Sequence, residues 1–275
     1  MLAIIDGDVV AYNACKPRWQ TKAVDGVNLR KLDENGNVIP LEYSDEENKK
    51  YLKESWENFQ IDLDNLISAT YATDYVMAVK GEHNYRYDIY PLYKSNRVKN
   101  VTSELNKFVP ILRKLSVSAG MSVEAIGREA DDLLRIWACE ASAAGIPFII
   151  CSIDKDLLMI PGLHYRMKEE KIIEITPQDA KRRYYEQVLK GDPVDCIPGA
   201  PGIGDVKAAK ILKDCETDEE FQEAIVATYM DKIGPGWYND LLANLKLIHI
   251  QKHPFDFIGA EWPVMKYFGG LNGGI

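Results

Sequence analysis

The sequence is poor in the residues that build soft-metal and disulfide sites. Its five cysteines, Cys15, Cys139, Cys151, Cys196 and Cys215, are scattered without a CxxC pair, the usage of a reducing, cytoplasm-like compartment. The four histidines, His83, His164, His249 and His253, show no zinc spacing; His249 and His253 have no nearby cysteine partner. No apolar run approaches the roughly 18–20 residues of a membrane span. The opening MLAIIDGD reaches an aspartate at once, so it reads as a strand and not as a signal peptide. Positive balance is missing too: the formal net charge is −9. Phosphate binding normally draws on a basic surface, so this charge counts against a nucleic-acid partner unless many of the acids are gathered in one cation site.

What is present is ample for a real core: 275 residues, 46% of them hydrophobic, enough for one large domain or two small ones. LAIID (Leu2–Asp6), YVMAV (Tyr75–Val79) and PFIICS (Pro147–Ser152) read as buried parallel strands. SVEAIG reads as a short strand, and LHYRM with KIIEI as a small strand pair. An amphipathic helix is expected over 47–72, with others near 103–120 and 129–145. From Thr176 onward only helices are expected, at 178–190, 205–213, 218–230 and 237–250. This order predicts an α/β domain over 1–176, its central and mostly parallel sheet flanked by helices, followed by an all-α region over 177–275. Residues 20–47 read as an irregular insertion around an Asn-Gly turn.

The acids fall where these strands end. Asp6 and Asp8 follow the first strand in IDGD; Glu129, Asp131 and Asp132 open a helix in GREADDLL; Asp154 and Asp156 follow the third core strand in SIDKDLL. Each group alone has an ordinary explanation, since acids in a first helical turn complement the dipole and DxD is common loop chemistry. Together they converge, because the carboxyl ends of parallel strands line one crevice. Carboxylates gathered there repel unless cations neutralise them. An all-oxygen donor set suits Mg²⁺ or Mn²⁺, and a pair of such ions is the apparatus of phosphodiester hydrolysis.

Two further segments bear on phosphate. In GDPVDCIPGAPGIGDVKAAK, Asp192 and Asp195 precede PGIGDVKAAKIL, which resembles a helix–hairpin–helix element. Gly202, Ile203 and Gly204 let backbone approach a phosphate, and Lys207 and Lys210 add charge one helical turn apart. Such a grip reads backbone and not bases, so binding is expected to be sequence-tolerant. The aspartates are expected to face the metal site while the hairpin holds DNA further along. The segment 80–102 is basic and aromatic: Arg86, Lys94, Arg97 and Lys99 alternate with Tyr85, Tyr87, Tyr90 and Tyr93, residues that suit phosphates and unpaired bases.

The motifs IDGD (5–8), YPLYKSNR (90–97), EADD (129–132), SIDKDLLMIPG (152–162) and GDPVDCIPGAPGIG (191–204) occur in the order of the 5′→3′ exonuclease/flap endonuclease family, and the chain most resembles its bacteriophage members. The resemblance implies a PIN-like nuclease fold with a helical arch near 82–103 and a helix–three-turn–helix region. It implies two Mg²⁺ or Mn²⁺ held by Asp6, Glu129, Asp131, Asp132, Asp154, Asp156, Asp192 and Asp195, with Asp8 and Glu82 as further candidates. It places Lys94 and Arg97 on the scissile phosphate and Tyr93 in the arch, leaving Tyr85, Arg86 and Lys99 with the hairpin residues as DNA contacts. A K⁺ ion held by the hairpin backbone near Ile203 is also implied. The implied activity is hydrolysis at DNA 5′ ends or flaps, extending to the RNA of RNA–DNA hybrids, by a monomer in the cytoplasm (of the host, for a phage product). It would serve phage DNA replication or host-DNA degradation. One departure stands out: the family's aspartate after the second core strand is replaced by Gly81, with Glu82 beside it. Two other readings stay open. A haloacid-dehalogenase-like phosphatase would use Asp6 and Asp8 but gives the hairpin no role; a non-catalytic DNA-structure binder would keep the fold.

Overall fold

The computed structural model describes residues 1–15, 44–96 and 104–256. Most of the insertion, together with Arg97 and Lys99, lies outside the described residues.

Six strands form one sheet in the order β3-β2-β1-β4-β5-β6. They are β1 (Leu2–Asp6), β2 (Asp74–Lys80), β3 (Val123–Ala125), β4 (Phe148–Ser152), β5 (Gly162–Arg166) and β6 (Lys171–Ile175). Every pairing is parallel except the β5–β6 hairpin. The expected small strand pair is therefore no separate ribbon: β5 pairs with β4 from Ile149↔Leu163 to Ser152↔Arg166 and extends the main sheet. Successive strands run outward from β1 in one direction and from β4 in the other, so the chain reverses between these two neighbours. Crevices form at such a reversal, beyond the carboxyl ends of the strands.

Helices cover both faces. The helix α1 (Gly7–Ala14) follows β1 directly, and α2 (Asp45–Thr70) begins at a capping box made by Ser44 and Glu47, which satisfies two otherwise orphaned N–H groups. Then follow α3 (Arg86–Ile89), α4 (Val109–Ser118) and α5 (Ala130–Ala143). The later helices are α6 (Pro177–Lys190), α7 (Asp205–Ile211), α8 (Asp218–Ile233) and α9 (Trp237–Ile248). One hydrophobic cluster reaches from Ile4 and Ile150 in the sheet through Leu134 on α5 to Phe221, Tyr229 and Leu245 on α8 and α9. A second, with Phe59, Leu63 and Leu112, seals α2 and α4 against the other face. The helical C-terminal region thus shares its core with the sheet.

Candidate active site

A cleft of about 290 Å³ opens at the carboxyl ends of β1, β2 and β4. Its wall carries Asp6, Asp8, Glu82, Glu129, Asp131, Asp154, Asp156 and Asp195, with Lys94 among them. The parallel register puts Asp6 beside the end of β4, and the hydroxyl of Ser152 donates to Asp6 Oδ2 at 2.7 Å while accepting from the Asp154 amide at 3.0 Å. One side chain thereby fixes two acid-bearing turns. Arg166 on β5 donates to the carbonyls of Ile153 and Asp154, each at 2.6 Å. Gln187 on α6 donates to Asp156 at 3.2 Å. Asp8 is held by Arg113 of α4 at 2.7 Å and by the Lys80 amide.

Of the cleft acids, Asp6 and Asp195 are buried and the others, Glu82 excepted, are half-buried, and the titration of three of them records their crowding. Burial, then the charges of Asp8 and Asp154, pushes Asp6 up to about 7, even though Ser152 stabilises its anion. Burial and the neighbouring aspartates push Asp156 up to about 6. Asp131 is held well above the ordinary carboxylate range by burial and by Asp154, Glu129 and Asp6. Among the described residues no three such side chains already converge on a common point as a ligand set. The fit to divalent ions lies in the donor chemistry: oxygen only, desolvated, and in mutual repulsion that a hard cation relieves.

Lys94 is the cation that reaches this cluster. Its ammonium meets the Glu129 carboxylate and lies 3.5 Å from Asp195. The backbone aims it there from a left-handed conformation, φ 57°, steadied by a bond from the Lys94 amide to the Asp195 carbonyl at 2.9 Å. Asn96 donates to the Pro193 carbonyl at 2.7 Å, so residues 93–96 dock on the loop carrying Asp192 and Asp195. That loop closes through a crossing of Gly191 and Gly199. A Cβ on Gly191 would lie 2.2 Å from the Ile197 carbonyl oxygen, and one on Gly199 2.4 Å from the Gly191 nitrogen, so neither position accepts a side chain.

Several sequence expectations need correction. Asp132, expected to ligate metal, is fully buried and lies off the cleft wall. Its carboxylate accepts from Arg86 at 2.8 and 2.9 Å and from the amides of Glu129 and Gln251, both at 3.0 Å, which leaves no lone pair for an ion. Arg86, expected on DNA, is 2% exposed and bound to this carboxylate. Tyr93 is 3% exposed; its hydroxyl donates to Glu129 at 3.1 Å, so it braces a site acid and offers no face to a base. Asp192 is half-buried off the cleft wall, its Oδ1 accepting from the Val194 amide at 2.8 Å, while its charge still reaches Asp156. Tyr85 is half-buried with Arg86 stacked 4.7 Å over its ring. The Gly81 departure has a steric cause: a Cβ there would lie 2.2 Å from the Ala125 carbonyl oxygen of β3. The acid stands one residue later, where Glu82 is exposed on the cleft wall.

The hairpin follows the loop. Gly202 turns at φ 73°, Ile203 is buried in the core, and Gly204 precedes α7. Lys207 donates to the Gly202 carbonyl at 2.8 Å and Lys210 is exposed. Sequence reasoning missed Ser152, Arg166, Gln187 and Arg113. A hydroxyl just before a DxD pair was a usable signal for Ser152; the other three lie on elements whose pattern announces only a strand or a helix.

Residues 52–185 match the family model described as "5'-3' exonuclease, N-terminal resolvase-like domain". That is just under half of the chain, and over it the chain resembles this exonuclease family. The DNA polymerase I of Rhizobium leguminosarum is 33% identical over 139 residues, which cover 47% of this chain and 14% of the polymerase. That of Geobacillus stearothermophilus is 27% identical over 239 residues, covering 82% and 24%. The chain thus spans between about a seventh and a quarter of the polymerases it matches. Among solved structures, the T5 D15 protein co-crystallised with metal ions superposes with a TM-score of 0.59 at 14% identity, over 90% of this chain and 88% of that one. The bacteriophage T5 D15 flap endonuclease in a pseudo-enzyme-product complex with DNA and metal ions gives 0.57 at 16% identity, with the same coverage. At such identity the superpositions establish a shared fold, with the acid-lined cleft at the edge of its sheet. Among the described residues no helix is long and apolar enough to cross a membrane.

Proposed function

We propose that the chain is a divalent-metal-dependent 5′→3′ exonuclease and structure-specific 5′ endonuclease, acting on DNA at ends or flaps. The observation that carries this is the convergence on one cleft of acids from four separate segments, 6–8, 129–131, 154–156 and 195, with Lys94 among them. Divalent ions, when bound, supply Lewis acidity: they lower the pKa of an attacking water and neutralise the leaving oxygen. Asp6, Glu129, Asp131, Asp154, Asp156 and Asp195 would hold them, with Asp8, Glu82 and Asp192 at the margin.

The chain's own residues do the rest. Ser152 and Arg166 keep the Asp6 and Asp154 turns in register, which is the preorganisation that lets charges act without rearranging during reaction. Lys94 donates to a non-bridging oxygen of the scissile phosphate and stabilises the charge that develops as water adds to phosphorus. Arg97 is assigned the same task. The bond from phosphorus to the 3′ oxygen breaks, leaving a 5′-phosphate and a 3′-hydroxyl. Further along the duplex, the Gly202–Gly204 backbone with Lys207 and Lys210 holds phosphates whatever the sequence, with a K⁺ ion at the hairpin. RNA in RNA–DNA hybrids is a further substrate, and the working unit is a monomer. The phosphatase reading loses support from Asp8, which is committed to Arg113 and the Lys80 amide.

Cleavage of a 5′-labelled flapped duplex by wild type and Asp154→Ala, each with Mg²⁺ and with EDTA, tests the proposal. Short labelled products from wild type with Mg²⁺ alone are expected. Intact DNA in every reaction, despite tight binding, would sink it and favour a non-catalytic binder.

A further inference from the structure

The helix α9 ends at Ile248, and the carbonyls of a helix's last turn have no partner within the helix. Here arginines from outside the helix take up one of these, that of Leu247, and carbonyls of the segment that follows. Arg86 Nε donates to the Leu247 carbonyl at 3.0 Å and its Nη2 to the His249 carbonyl at 2.5 Å. Arg135 donates to Ile250 at 2.9 Å and Arg128 to Pro254 at 3.2 Å. The remaining guanidinium edge of Arg86 faces Asp132, whose carboxylate also receives the amides of Gln251 and Glu129. A cation at the carboxyl end of α9 and an anion at the amino end of α5 each match the local helix dipole. That helps offset the desolvation of a fully buried ion pair. Asp132 is held below the usual carboxylate range: burial would raise it, and the Arg86 bonds overcome that.

We propose that Arg86 is a positioning residue for the metal-binding acids: through Asp132 it fixes the start of α5, where Glu129 and Asp131 stand, and locks that start to the segment 247–251. The segment is thereby part of the site, and its Leu247, Ile248 and Ile250 form cleft wall. The family match ends at residue 185, well before it. This inference rests on the reading of the cleft as a metal site. Lysine cannot replace Arg86, because one ammonium cannot span a carboxylate and two carbonyls at once.

Mg²⁺ titration calorimetry on the DNA-free full chain, wild type against Arg86→Lys, is the direct test, with steady-state cleavage beside it. Loss of a side chain that orients a ligand typically costs about 10–100-fold in metal affinity. Arg86→Lys should weaken Mg²⁺ binding by about that factor and lower kcat at limiting Mg²⁺, with the KM for DNA changed less than about threefold, and saturating Mg²⁺ should restore kcat. A merely structural loss would not be rescued by metal. Unchanged Mg²⁺ affinity with a raised KM would show a DNA contact and overturn the proposal. In wild type, Mg²⁺ should slow hydrogen exchange at the Gln251 amide together with that of Glu129, a readout that does not depend on any variant folding. Exchange at Gln251 indifferent to bound Mg²⁺ would overturn the coupling. Wild type that binds no Mg²⁺ at all would overturn the metal-site reading itself, a different failure.

Discussion

Asp131 and Asp132 are neighbours in sequence and opposites in role. Asp131 stands in the cleft among Asp6, Glu129 and Asp154, its ionisation opposed by burial and repulsion. Asp132, one residue on, points to the other side of α5 and has every acceptor position filled by Arg86 and two amides. Asp132 is fully buried and Asp131 half-buried. What separates a functional region from a scaffolding one is whether the protein supplies the compensation itself. On the side of Arg86 and the segment 247–251 it does; on the cleft side it leaves a deficit that something from solution must make up.

The largest test of this contrast is to neutralise each acid in turn. Asp131→Asn removes a repelled charge, so the metal-free protein should unfold at higher temperature while DNA cleavage falls on the order of 10³-fold, the scale of losing an electrostatic element of the transition state. Asp132→Ala leaves Arg86 buried without its partner and should cost about 3–5 kcal/mol of stability, measured by denaturant unfolding. Equal destabilisation by both would erase the distinction. Lys94→Ala comes next: on the role proposed for Lys94 at the reacting phosphate, kcat should drop about 10²–10³-fold with DNA binding little changed; the side chain is half-buried among acids. A variant that lost affinity and kept kcat would move Lys94 to a simple backbone contact.

The two sides also pull stability in opposite directions along the pH axis. Asp6 at about 7 and Asp156 at about 6 lie above the ordinary 3.8. Between about pH 4 and pH 7 the native state therefore holds more protons than the unfolded chain, and stability falls as pH rises through that window. Asp132 lies below its ordinary value, so its contribution is present above about pH 4 and is lost as pH falls further. Thermal unfolding of EDTA-treated protein should show a midpoint lower at pH 7.5 than at pH 5, by several degrees. Mg²⁺ should raise the pH 7.5 midpoint more than the pH 5 one, since its ligands must be ionised. A midpoint that rises with pH in EDTA would contradict the cleft-side reading.

How much of this was legible beforehand follows from which forces are local. The strands were readable because a doubly covered parallel strand is a continuous apolar run, and Ile4, Ile5, Ile149 and Ile150 supply it. Convergence of Asp6, Asp131 and Asp154 followed from the strand ends alone. The split between Asp131 and Asp132 did not. It depends on Arg86, 46 residues before Asp132, and on carbonyls more than 160 residues beyond Arg86. Arg86 and Tyr93 were misassigned for the same reason, since a basic aromatic segment reads as surface until the fold buries two of its members. The Gly81 departure was visible as a letter, but its cause, the Ala125 carbonyl of β3, is tertiary.

The smallest expected effect concerns the hairpin, where the proposed external partner is a phosphate. Lys207 is engaged with the Gly202 carbonyl, whereas Lys210 is exposed. Lys210→Ala should weaken duplex binding a few-fold and reduce the slope of log affinity against log salt by about one, the counterion released by a single phosphate contact. kcat at saturating DNA should not move, because the contact is made equally in ground and transition states. An unchanged salt slope would place Lys210 off the DNA path and leave the backbone of Gly202–Gly204 as the grip. A fall in kcat would instead mean that the hairpin and the cleft act as one unit, and that the boundary between the two regions lies elsewhere.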